Sequence, residues 1–120
     1  MDIDGAVILI VEDEPLVALE AATLIKALGG KVEEIASSID EARDAIEMAY
    51  FDCVMLDLNL SGDMAFEIAH KLRREGHPFF FCTASVHALP QVFEDVPRIG
   101  KPFNKEALAQ CFTDAFSIPL

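Results

Sequence analysis

The chain has 120 residues, enough for one packed domain of ordinary size spanning 1–120. Apolar residues make up 52% and charged residues 25%, which supplies a core and argues against a disordered chain. Twenty-one acids against nine lysines and arginines leave a formal charge of −12, which repels phosphate backbones and speaks against direct nucleic-acid binding.

A multivalent cation or a basic protein patch is the more natural partner for such a surface. The start, Met1 to Gly5, is acidic where a secretory leader is basic. The apolar run Ala6 to Val11 is far short of the ~20 residues of a membrane span, so the reading is a cytoplasmic chain without membrane insertion. Its β-branched content predicts a first strand covered on both faces. From Pro15 to Leu28 polar residues thin to Glu20, Thr23 and Lys26, leaving a wide apolar helical face ended by Gly29-Gly30. Val32 to Ala36 is a second strand. Ser37 or Ser38 caps a helix striped by Ile39, Ala42, Ile46 and Ala49.

Cys53 to Leu56 is a third strand ending at Asp57, and Ala65, Ile68, Ala69 and Leu72 mark a third helix. Phe79 to Cys82 is a fourth strand ending at Thr83. A short fifth strand around Arg98-Ile99-Gly100 runs into Lys101-Pro102. A last helix starts at Asn104 and buries Leu108, Cys111, Phe112, Ala115 and Phe116. Strands alternating with helices predict an α/β fold, a doubly wound parallel sheet with helices on both faces. The three cysteines form no C-x-x-C pair, which predicts buried reduced thiols and no zinc site.

Ligands of such sheets bind beyond the carboxyl ends of the strands. Those ends carry Glu12-Asp13-Glu14, Asp57, Thr83 and Lys101. Carboxylates gathered there repel one another and call for a cation, and oxygen donors of this kind suit Mg²⁺. A hydroxyl and an ammonium beside them suit phosphate oxygens. The set reads as a phosphoryl-transfer site with a carboxylate nucleophile. Glu14 reads as a helix cap or a solvated loop residue.

The segments Val11-Glu12-Asp13-Glu14-Pro15, Leu56-Asp57-Leu58-Asn59-Leu60, Thr83-Ala84 and Lys101-Pro102-Phe103 resemble the receiver domains of two-component response regulators. The resemblance spans nearly the whole chain and implies a flavodoxin-like sheet of five strands in the order 2-1-3-4-5. It implies that Asp57 accepts a phosphoryl group from a sensor histidine kinase or phosphotransfer protein. It also implies that Glu12, Asp13, Asp57 and the Asn59 backbone carbonyl serve Mg²⁺, with Mn²⁺ as a substitute, Asp13 directly and Glu12 through water. Thr83 and Lys101 are implied to hold phosphoryl oxygens, and a cis bond before Pro102 to aim Lys101 inward. The output is implied to be binding to another protein whose identity the sequence does not carry.

Two departures stand out. Receivers carry Tyr or Phe three residues before the active-site lysine, where this chain has the switch position Arg98, and a guanidinium cannot enter an apolar slot as a ring does. The stretch Ala84 to Pro97 contains Pro90 and Pro97, which predicts a fourth helix that is short, near Gln91 to Asp95, or mobile. With Phe79-Phe80-Phe81-x-Thr83 this resembles a receiver subgroup with a Phe-Ala-Thr-Gly motif and a reduced helix four, many of them stand-alone regulators. The partner surface expected from it is this stretch with strand five and the exposed face of the last helix.

Two other functions compete with this one. A pseudo-receiver scaffold would not be phosphorylated, and the complete set of acids, Thr83 and Lys101 argues against it. A haloacid-dehalogenase-type phosphohydrolase places its nucleophile in Asp-x-Asp after the first strand, where this chain has Glu12-Asp13-Glu14. The expectation is therefore a signalling domain rather than an enzyme, taking part in its own Mg²⁺-dependent aspartyl phosphorylation and dephosphorylation.

Overall fold

A computed structural model describes residues 3–84 and 89–117. Strand β1 (Val7–Val11) leads through Glu12-Asp13-Glu14 into helix α1 (Pro15–Ala27). Pro15 stands at the start of α1, where its missing N–H costs nothing. At the other end Gly29 takes φ 92°, and Gly30 N–H reaches Ile25 O at 2.9 Å while Gly29 N–H reaches Lys26 O at 3.0 Å. This is the paired closure that a left-handed glycine permits. Strand β2 (Lys31–Ala36) begins one residue earlier than expected, and α2 follows at Ile39–Met48. Of the two candidate caps Ser38 does the work, accepting from Glu41 N–H at 3.1 Å, and Glu41 reaches back to Ser37 N–H at 3.0 Å.

Strand β3 (Cys53–Asp57), α3 (Phe66–Arg74), β4 (Phe79–Thr83), β5 (Arg98–Gly100) and α4 (Lys105–Ser117) complete the layers. Asn104 caps α4, its Oδ1 accepting from Ala107 N–H at 2.8 Å. The five strands pair in parallel in the order β2-β1-β3-β4-β5, as expected.

Alternation along the strands divides the core in two. Leu9, Val11, Val54, Leu56, Phe79 and Phe81 meet α2 and α3. Ile8, Ile10, Cys53, Met55, Phe80 and Cys82 meet α1 and α4, where the Phe80 and Phe112 rings stand edge to face at 4.9 Å. All three cysteines fall in this second layer, buried and unpaired. The apolar face of α1 is wider than its buried strip: Ala18, Ala21, Ala22 and Ile25 are covered, whereas Leu16 and Leu19 are 80% and 61% exposed.

Between β3 and α3 the residues Asn59–Leu60 and Asp63–Met64 pair as a small antiparallel ribbon, which the sequence reading did not anticipate. Between β4 and β5 the helical structure among the described residues is a single 3₁₀ turn, Gln91–Phe93. Residues 85–88, on which part of the expected mobility falls, lie outside the described residues. The segment after them is well anchored. Phe93 is wholly buried, 5.6 Å from the Phe81 ring and 6.0 Å from Phe66, with the Arg73 guanidinium 5.4 Å above it. Arg98 is exposed and donates to the carbonyls of Phe93, Glu94 and Val96 at 3.1–3.3 Å. No helix among the described residues is long and apolar enough to cross a membrane.

Candidate functional site

Sheet register decides what meets at the carboxyl edge. Val11 pairs with Leu56, so Glu12 follows β1 beside Asp57 at the end of β3. Asp57 pairs with Cys82, Thr83 pairs with Gly100, and Lys101 N–H donates to Thr83 O at 2.9 Å. Asp13, Asp57, Asn59, Ser61, Thr83 and Lys101 consequently line one open cleft of about 250 Å³. The Lys101–Pro102 peptide is cis.

Carboxylate oxygens of Glu12, Asp13 and Asp57 all lie within 4.8 Å of one another, with Glu12 and Asp57 buried and Asp13 half-buried. Lys101 Nζ sits 2.7 Å from Glu12 Oε1 and 3.2 Å from Asp57 Oδ2, and Glu14, exposed at the rim, is 4.0 Å away. Burial alone would lower the Lys101 pKa, but the Glu12 hydrogen bond and the Asp57 charge outweigh it and raise it to about 12. Burial pushes Glu12 upward, and its hydrogen bonds to Lys101 and the Glu14 N–H only partly offset this. Three carboxylates against one ammonium leave an excess of two negative charges, on oxygen donors alone. That donor set fits a hard divalent cation in both charge and ligand type.

Asp13 is held differently. Ser61 N–H and Ser61 Oγ donate to the same oxygen, Oδ2, at 2.8 and 2.9 Å. Burial is the largest single influence on Asp13 and raises its pKa, but the two Ser61 bonds, helped by the Asp13 amide and Glu12, together outweigh it and hold the carboxyl below its usual range. Ser61 went unrecognised in the sequence, although Ser61-Gly62 is a turn dipeptide at a useful distance from Asp57. Asn59 N–H donates to Asp57 Oδ1 at 3.1 Å, and Asn59 Oδ1 accepts from Gly62 N–H at 2.8 Å. Glu14 occupies the capping position of α1, but its side chain makes no capping bond. Arg98 points its head away from this cleft, to the carbonyls behind the 3₁₀ turn.

A larger open cleft of about 460 Å³ lies between α2 and α3, lined by Ser38, Arg43, Asp63 and Glu67 among others. Its single cation, Arg43, is already engaged by Asp40 at 2.9 Å and Glu67 at 2.7 Å. The chemistry therefore concentrates at the sheet edge.

Comparison with known proteins bears on the family and the fold. The response regulator receiver domain profile matches residues 8–112. The chain is 34% identical over 108 residues to the sensory transduction protein LytT of Bacillus subtilis, covering 86% of this chain and 45% of LytT. It is 32% identical to the transcriptional regulatory protein LytR of Staphylococcus aureus, covering 85% of this chain and 44% of LytR. The chain thus spans less than half the length of these curated relatives. The solution structure of SdrG from Sphingomonas melonis superposes with a TM-score of 0.84 at 29% identity, covering 97% of this chain and 99% of SdrG. A BeF3-activated conformation of SdrG gives 0.80 at 29% identity, over 93% and 96% of the two chains.

Proposed function

The chain belongs to the response regulator receiver domain family, and on that premise we propose that it accepts a phosphoryl group on Asp57 and signals by phosphorylation-dependent contact with another protein. One observation carries the reading: the buried Asp57 carboxylate faces the cleft with Lys101 on one oxygen and the Asn59 amide on the other, inside a cluster of three acids. The donor is a phosphohistidine on a sensor histidine kinase or phosphotransfer protein. An Asp57 oxygen attacks phosphorus, the O–P bond forms as the N–P bond breaks, and the imidazole leaves with that electron pair.

Mg²⁺, or Mn²⁺ in its place, would be held by Asp13, Asp57 and the Asn59 carbonyl with Glu12 through water, and would neutralise charge on the phosphoryl oxygens. Lys101 is already drawn toward Asp57 and would follow the charge onto the new phosphoryl group. The Thr83 hydroxyl would take a second oxygen. Burial of Glu12 and Asp57 keeps these groups from reorganising through water. The chain acts in this reading as a cytoplasmic signalling domain that takes part in its own phosphorylation and dephosphorylation.

A pseudo-receiver scaffold has one observation in its favour: Arg98 stands where an aromatic switch is usual and is engaged with backbone carbonyls. Acetyl phosphate labelling separates the two. The wild type should take up one equivalent in the presence of Mg²⁺, and Asp57→Asn none while remaining folded. A wild type that stays unlabelled would support the scaffold, and labelling of Asp57→Asn would move the acceptor elsewhere.

A further inference from the structure

The ribbon after β3 ends in a two-residue turn with φ 54° at Ser61 and 93° at Gly62. Positive φ at both central residues is the signature of the tight hairpin turn whose twist suits paired strands. Gly62 takes that conformation freely, but Ser61 does not. Among the described residues it is the one non-glycine with positive φ, a conformation that costs a side-chain-bearing residue of order 1 kcal/mol. The turn is held from beneath by buried Leu60 and from within by the Asn59 side chain on Gly62 N–H at 2.8 Å. Such a fixed turn presents a backbone donor and a side-chain donor in one direction.

Both donors land on Asp13. They converge on a single oxygen, Oδ2, across 48 residues of sequence. A carboxylate beside two other acids has no electrostatic reason to stay put, and it would turn toward solvent unless something held it. With Oδ2 occupied, rotation of the carboxylate is arrested and one oxygen remains for the cluster formed with Glu12 and Asp57. We infer that Ser61 is a positioning residue for the cation: its amide and hydroxyl pre-orient Asp13 for Mg²⁺. This rests on the receiver reading above and deepens it. A hydrogen-bonding partner of a metal ligand fixes its direction and typically contributes ten- to a hundredfold in affinity. Because Ser61 belongs to the ribbon, the cation also fastens the β1 loop to the β3–α3 loop.

The test is an MgCl₂ titration of the full chain, followed by amide chemical shifts, for wild type, Ser61→Gly and Ser61→Ala. Both variants lose the hydroxyl and keep the N–H. They differ in backbone cost, since glycine relieves the positive φ and alanine does not. The expected result is a Kd raised about tenfold in both, with the unfolding midpoint in EDTA unchanged or higher for Ser61→Gly. Equal Kd values in all three proteins would overturn the inference while leaving the receiver site intact. Weaker binding in Ser61→Ala alone would assign the effect to the backbone and overturn it too. A wild type whose amides do not respond to Mg²⁺ would instead sink the receiver reading of the cation site, and this inference with it.

Discussion

The Lys101 ammonium lies 2.7 Å from Glu12 Oε1, closer than to Asp57, and the two side chains are only 11% and 4% exposed. Lysine thus spends its resting state partly on a carboxylate other than the proposed acceptor. Breaking such a buried pair from one side leaves charge stranded. Lys101→Met should lower the stability of the metal-free domain by about 3 kcal/mol at pH 8, read from urea unfolding. A loss no greater than a surface substitution would mean that water compensates these acids.

The same pair sets an alkaline limit. The Lys101 pKa is raised from 10.5 to about 12, so its contribution is complete below 10.5 and disappears as pH climbs through about 12. The unfolding midpoint of the wild type should fall across that window more steeply than that of Lys101→Met. Parallel curves would remove Lys101 as the cause.

Magnesium should stabilise by mass action, about 1.4 kcal/mol when present at ten times its Kd. Asp13→Asn removes a ligand, so it should erase most of this gain. Because the fold holds the Asp13 carboxyl below its usual range, the lost charge should leave the melting temperature in EDTA unchanged or lower. Both halves are read from thermal melts with and without MgCl₂. A full Mg²⁺ response in Asp13→Asn would exclude Asp13 as a ligand.

Behind the site, Arg98 gathers three carbonyls at the end of the 3₁₀ turn. Arg98→Ala should cost roughly 1 kcal/mol and speed amide exchange at Glu94 and Val96, whose N–H groups bond within the turn. Phe93→Ala should be far more costly, ~4 kcal/mol, because the ring is wholly buried among Phe66, Phe81 and His70. If the two variants proved equally mild, the segment would not be anchored as described.

The strands ending at Glu12, Asp57 and Thr83 were legible because each follows a short apolar run bounded by turn residues, whereas the sheet order came from the resemblance to receiver domains and Lys101 follows only the mixed Arg98-Ile99-Gly100. Buried parallel strands write that pattern plainly. Ser61 was not legible: its role depends on a backbone angle and on a partner 48 positions away. The ribbon escaped for a similar reason, since strands of two residues are too short to show any period. The aromatic and Arg98 can be compared in the same way. The absence of a ring at position 98 could be read directly, but not that Phe93 is buried in the core beside β4.

The cysteines invite a last consequence. Cys53, Cys82 and Cys111 all belong to the layer between the sheet and helices α1 and α4, and the layer beneath α2 and α3 contains none. Burial raises the Cys82 and Cys111 thiols to about 12 and about 11, which leaves them mute toward alkylating reagents while that layer stays shut. The molecule therefore carries a one-sided internal reporter. Modification under native conditions counts the opening of the layer beneath α1 and α4, by itself or with the whole fold, and stays silent when α2 or α3 lifts, without introducing a single foreign group.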